Sequence, residues 1–150
     1  RFRGLRSMSA VRVVRPGDPV TVTKGAGDEY RYLATGAHTA GTCFLMEALV
    51  PPGAGPPPHE QTREEEGFYI LEGTLTFWPD GEETQAGPGT FINVPRGVVH
   101  NFKNETDEPA RMLIVFAPAG IEWMFSAMAK EPARFLEIAA EYGVTFPSEE

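Results

Sequence analysis

The stretch His59-Glu60-Gln61-Thr62-Arg63-Glu64-Glu65-Glu66-Gly67-Phe68-Tyr69-Ile70-Leu71-Glu72-Gly73 sets metal-ligating side chains directly before a strand. Gly67–Glu72 is short and rich in aromatic and aliphatic residues, and it ends at the turn pair Glu72-Gly73. His59 and Gln61 are two residues apart, so an extended backbone projects both to one face. Glu66 is five residues from Gln61, an odd offset that puts it on the other face of an uninterrupted strand. The polar run Thr62–Glu65 can supply a turn, and with one the three side chains can converge.

Outward from this stretch the chain is punctuated like an all-β protein. Thr74–Trp78, Thr90–Val94, Val98–Lys103 and Arg111–Ala117 are strand candidates, separated by Pro79-Asp80-Gly81, Gly87-Pro88-Gly89, Pro95-Arg96-Gly97 and Asn104–Pro109. His100, a second imidazole, follows the Pro-x-Gly turn that opens its strand. Upstream, Val11–Val14, Val20–Thr23, Tyr30–Ala34 and Cys43–Val50 alternate in the same way. The rigid run Pro51–Pro58 leads into His59. So many short strands at close spacing predict a sandwich or barrel. The tail of the chain is different. Ile121, Met124, Phe125 and Met128 recur at helical spacing, and so do Phe135, Ile138, Ala139 and Tyr142, between Pro132 as a starter and Gly143 as a stop. This Met-and-aromatic stripe is read as packing against the domain rather than as a lid.

The 150 residues suit one domain, and 41% of them are hydrophobic, a globular value. A net charge of −8 speaks against a nucleic-acid partner, which needs a basic face. Arg1, Arg3, Arg6, Arg12 and Arg15 are read as a solvated terminal cluster. Met8-Ser9 reads as a natural start, so residues 1–7 are expected to be a disordered tail or an appended segment. The expected domain plan is a barrel over 8–120 with a helical segment over 121–150 packed on it. The one cysteine, Cys43, is expected to be a buried thiol. Without a membrane-length apolar run or a secretory signature, a soluble cytoplasmic protein is expected.

Two spaced blocks resemble the cupin superfamily. The first cupin motif, G-x5-H-x-H-x3,4-E-x6-G, is similar to Gly53, His59, Gln61, Glu66 and Gly73, with Gln61 where the family has its second histidine. The second motif, G-x5-P-x-G-x2-H-x3-N, is similar to Gly89, Pro95, Gly97, His100 and Asn104 at every position. Pro56-Pro57-Pro58-His59, Arg63–Gly73 and Ala139-Ala140-Glu141-Tyr142-Gly143 further resemble single-domain bacterial cupins of the quercetin 2,3-dioxygenase-like kind. The resemblance implies a jelly-roll barrel with one or two C-terminal helices, usually a homodimer. It implies a divalent transition metal (Fe, Mn, Ni, Co, Cu or Zn) on His59, Gln61, Glu66 and His100. An amide oxygen is a weaker donor than imidazole, so the ion is held weakly or not at all. Phosphomannose isomerases in the same superfamily do use a Gln beside His and Glu.

Glu66, His100 and Gln61 are the expected catalytic residues, with Glu66 a ligand or a general base. Glu64 and Glu65 are read as solvated, and Asn104 as a turn-closing residue. Candidates for an apolar wall are Phe44, Met46, Phe68, Ile70, Phe77, Phe91, Phe102 and Met112, with Trp78 and Trp123, most of them serving as ordinary core. Three functions stay open. The first is an oxygenase acting on a small enolic, phenolic or flavonol-like compound. The second is a metal-independent isomerase, cyclase or lyase using Glu66 and the histidines as acid and base. The third is a non-catalytic small-molecule binder. Fold alone does not choose among them.

Overall fold

Along Ala110–Ala117 every second side chain, from Ala110 through Met112 and Ile114 to Phe116, is buried, as a period of two dictates for a half-covered strand. In the computed structural model, which describes residues 10–147, this segment lies inside the largest sheet. The strands in chain order are β1 (Val22–Gly25), β2 (Asp28–Ala34), β3 (Phe44–Val50), β4 (Glu60–Gln61), β5 (Glu65–Glu72), β6 (Leu75–Phe77), β7 (Thr84–Ala86), β8 (Phe91–Val94), β9 (Phe102–Lys103), β10 (Ala110–Ala117) and β11 (Val144–Thr145). They form a six-stranded sheet in the order β1-β2-β3-β10-β5-β8, a three-stranded sheet β7-β6-β9 and a two-stranded pair β11-β4. All pairings are antiparallel. This is the all-β jelly roll expected from the sequence.

The core lies between the inner faces of the sheets. Phe68 from β5 meets Phe77 from β6 edge to face, with ring centroids 5.0 Å apart. Each ring is almost wholly buried, which stabilises the fold by roughly 1.5–3 kcal/mol per side chain. Among the described residues there are three short α-helices, α1 (Gly36–Thr39), α2 (Glu122–Lys130) and α3 (Phe135–Glu141), the last after a 3-10 turn at Pro132–Arg134. The buried Glu122 carboxylate accepts from the amides of Gly36 (2.6 Å) and Gly120 (2.5 Å), and so ties α2 to the start of α1. Among the described residues no helix is long and apolar enough to cross a membrane.

Several local expectations change. Residues 11–14 form no strand, and Val11 and Val13 are exposed. β1 occupies the ladder beside β2, and residues 11–14 add no further strand at the edge. Val98–Lys103 pairs regularly only at β9, because Pro79 has no N–H and breaks the facing ladder between Trp78 and Asp80. Cys43 is half-buried rather than buried. The two-residue strands β4 and β11 are too short for periodicity to reveal, and β7 sits in a polar stretch. The expected tail at 1–7 and the Met8-Ser9 start lie outside the described residues.

The Pro/Gly run is built into the fold. Gly53 N–H donates to Asn104 O (2.7 Å), Asn104 N–H to Ala54 O (2.9 Å) and Gly55 N–H to Ala26 O (3.2 Å). Gly55 has φ +146°, and a Cβ there would overlap the carbonyl of Phe102 and come within 2.9 Å of Lys103 Cα. Gly55→Ala is therefore expected to destabilise the protein by about 2–4 kcal/mol, read as a lower urea midpoint at unchanged slope. A midpoint like that of the wild type would show that the segment can move aside.

Asp28, at the head of β2, is 1% exposed. Its Oδ2 accepts from Tyr30 Oη at 2.8 Å, while Oδ1 has no partner. Burial raises its pKa from 3.8 to about 7, with the Tyr30 hydrogen bond pulling the other way. The folded chain therefore holds a proton that the unfolded chain releases near pH 4. The resulting stability is complete below pH 4 and is lost as pH rises through 7. The wild-type unfolding free energy is expected to fall between pH 4 and 7 by roughly 2–4 kcal/mol more than that of Asp28→Asn. Parallel pH profiles for the two proteins would refute this.

Candidate active site

His59 and His100 exchange a reciprocal pair of backbone hydrogen bonds, His59 N–H to His100 O at 3.0 Å and His100 N–H to His59 O at 2.9 Å. This bridge brings the imidazole rings to 4.4 Å between centroids. Each ring is anchored alike: Nδ1 of His59 lies 2.9 Å from Pro57 O, and Nδ1 of His100 lies 2.9 Å from Val98 O. A carbonyl only accepts, so both Nδ1 atoms carry the proton and both Nε2 atoms are left for the site. Glu66 enters from β5, with its Oε1 2.9 Å from His100 Nε2. Ligand atoms of His59, Glu66 and His100 all lie within 4.8 Å of one another.

Gln61 reaches the same wall from β4. Its carbonyl accepts from Gly97 N–H (2.8 Å), and its residue pairs with Val144 of β11. Thr62 locks this pairing, with both its N–H (3.0 Å) and its hydroxyl (2.8 Å) donating to Gly143 O. Residues 62–64 then break the strand, which reverses the parity and lets Glu66 face the side that His59 and Gln61 face. Gln61 is 4% exposed, and its Oε1 has no hydrogen-bond partner among the described residues. A buried amide oxygen without a donor is costly, by about 1–3 kcal/mol, unless a ligand or ion completes it.

The electrostatics separate the two imidazoles. Burial and the neighbouring His100 push His59 below the usual histidine range, which keeps its Nε2 lone pair free. Burial also opposes charging of His100, but the hydrogen bond and the charge of Glu66 outweigh it and raise its pKa. Glu64, expected to be solvated, is instead 4% exposed with Oε1 unpartnered. Burial lifts it to about 7 against the pull of Arg63. The break at 62–64 turns its side chain inward, which a reading of clustered charge did not anticipate. Glu65 is exposed as expected, accepting from Asn93 Nδ2 at 2.9 Å. Asn104 closes its turn, with Nδ2 donating to Val50 O and Glu108 O while Oδ1 accepts from Thr106.

His59, Gln61 and Glu66 open into a cavity of about 400 Å³ whose remaining wall is largely apolar. Of the expected wall residues, Met46 and Phe102 line it, while Phe44, Phe68, Ile70, Phe77 and Met112 are core. Trp78 is half-buried and lines no part of the cavity. Phe91 is exposed because it stands three residues from the inward Val94 on β8. Trp123 is exposed on the outer side of α2. The stripe Ile121, Met124, Phe125 and Met128 both packs on the core and closes the cavity. Sequence reading missed Tyr30, Phe135 and Phe146 in the wall. The alternation of Val144 and Phe146 just after Gly143 was the available signal for the last of these.

Comparison with known proteins accords with this arrangement. Residues 46–116 match the cupin domain family. The chain is 33% identical to quercetin 2,3-dioxygenase of Bacillus subtilis over 92 residues, which are 57% of this chain and 27% of that enzyme. It is 31% identical to polyketide synthase CurC of Streptomyces cyaneus over 61% of this chain and 60% of that protein. The chain thus spans only part of the length of either relative. The crystal structure of polyketide cyclase RemF from Streptomyces resistomycificus superposes with a TM-score of 0.61 at 29% identity, covering 72% of this chain and 79% of that one. The antiparallel jelly roll and the two motif blocks that converge at the His59–His100 bridge agree with this match, which makes residues 46–116 a cupin domain.

Proposed function

We propose that this cupin is a metal-dependent oxygenase of small enolic or phenolic compounds, flavonol-like in shape, with dioxygen as the second substrate. The observation that carries the reading is the group His59, Glu66 and His100, whose ligand atoms lie within 4.8 Å of one another, at an apolar cavity that His59 and Glu66 line together with Gln61, whose Oε1 is orphaned. The donor set fits a divalent transition ion: two histidines and a carboxylate leave positions open, and an unpartnered amide oxygen offers a fourth, weaker donor. Both imidazoles have the backbone-anchored Nδ1–H that metal-binding histidines use to fix their tautomer. When bound, such an ion would polarise a substrate oxygen and activate dioxygen.

The residues of this chain supply the rest. Glu66 Oε1 takes the proton of an enolic or phenolic hydroxyl, while His59 and His100, fixed through Nδ1, hold their Nε2 atoms beside it. The apolar wall orients a planar ring system and excludes water. A homodimer paired along a sheet edge belongs to the same proposal and is tested by light scattering.

One observation favours a second reading, acid–base cyclisation without redox chemistry. Glu66 Oε1 and His100 Nε2 already lie 2.9 Å apart, within reach for proton exchange, and the likeness to a polyketide cyclase covers most of both chains. Oxygen-electrode assays on quercetin separate the two. The oxygenase reading expects dioxygen uptake stoichiometric with flavonol loss, and His100→Ala should reduce it roughly 100-fold or more. Turnover of an enolic substrate without oxygen uptake would favour the second reading.

Gln61→His tests the metal set directly. Because imidazole outcompetes an amide oxygen, the variant is expected to bind Ni or Zn roughly tenfold or more tightly by calorimetric titration. Equal affinities for the two proteins would remove residue 61 from the site.

A further inference from the structure

The cavity has a second polar feature that the site above does not use. Tyr30 lines its wall from β2, which stands three strands from β5 in the six-stranded sheet (β2, β3, β10, β5). Its hydroxyl donates to Asp28 Oδ2 at 2.8 Å. Burial, then the charge and hydrogen bond of Asp28, then the charge of Glu66 hold this phenol well above the usual tyrosine range, so it remains a donor to Asp28. With its proton committed, the phenolic oxygen keeps accepting capacity. Behind it, Asp28 Oδ1 is buried without a partner, and Asp28 makes no ion pair among the described residues. Above about pH 7, where Asp28 loses its proton, the Tyr30 oxygen in the wall and the Asp28 carboxylate behind it are therefore short of hydrogen-bond donors. A buried acceptor with no donor is either a burden or a place prepared for one.

We infer that the Tyr30–Asp28 couple is a hydroxyl-reading subsite, which accepts a hydrogen bond from a ligand hydroxyl remote from the end held at His59, Glu66 and His100. The inference rests on the proposed function and narrows it. The favoured ligand is an aromatic compound with one oxygenated end at the histidines and a further hydroxyl on a distant ring. A hydrophobic pocket discriminates weakly on its own, whereas a pocket with buried acceptors rejects the analogue that leaves them unpaired. Tyr30 acts here on selectivity, and Asp28 acts through Tyr30 as a positioning residue.

The test compares two flavonols titrated anaerobically, at about pH 8 where Asp28 is ionised, into the protein as purified: quercetin, hydroxylated on both outer rings, and 3-hydroxyflavone, which keeps only the hydroxyl of the central ring. The wild type is expected to bind quercetin roughly tenfold more tightly than 3-hydroxyflavone, and Tyr30→Phe is expected to erase most of that ratio. Tyr30→Phe leaves Asp28 with no partner, so the double variant Tyr30→Phe/Asp28→Leu, which removes both polar groups together, guards against loss of folding. It should show the same collapse of the ratio. A ratio retained in both variants, or a uniform weakening of both flavonols, overturns the subsite while the proposed function stands. If neither flavonol binds the wild type, the proposed function fails and the subsite fails with it.

Discussion

Two backbone hydrogen bonds, exchanged between His59 and His100, hold the site together. They splice the end of a proline-rich run to an irregular strand, and they fix both rings from the same direction. Each Nδ1 reaches back two residues to a carbonyl, at Pro57 and at Val98. The Gly53–Gly55 turn, bonded to Asn104 and Ala26, delivers His59 to that splice, and Gly97 holds Gln61 beside it. The imidazoles are thus positioned by main-chain geometry rather than by packing, which suits donors that must keep one orientation against a changing ligand.

The fold was legible because turn chemistry and period two agree along most of the chain. The glycine and proline positions that bound β5, β8 and β10 carry both signals at once. The site was legible in part. Spacing put His59 and Gln61 on one face, and the odd offset to Glu66 demanded a break that residues 62–64 supply. The fate of Glu64 was not legible, because sequence does not say which way a break turns its side chains. Nor were Asp28 and Tyr30: each looks like an ordinary strand residue until the register places β2 on the cavity. Val11–Val14 failed in the other direction, since alternation by itself does not secure a ladder partner.

The buried acids set a tension in this molecule. Asp28, Glu64, Glu66 and Glu122 are all withdrawn from water inside or beside an apolar core. Glu122 is satisfied by two backbone amides and reads as structural. Glu66 meets His100, whereas Asp28 and Glu64 each keep one oxygen bare. A fold optimised for stability alone would replace such groups with hydrocarbon of the same shape. Of the four only Glu66 lines the cavity, where a polar group held by the fold can meet a ligand.

The pairing of β4 with β11 has a consequence for how the protein comes into being. The Thr62 hydroxyl that locks Gln61 in place bonds a carbonyl 81 positions further along the chain. During synthesis the barrel strands through β10 are available to fold well before Gly143 and Val144 have left the ribosome. Over that interval, seconds long at about 5–20 residues per second, the nascent barrel has an open side where the cavity will be. The pocket is sealed after the barrel strands, so a nascent chain cannot retain a ligand before Gly143 and Val144 have joined the fold.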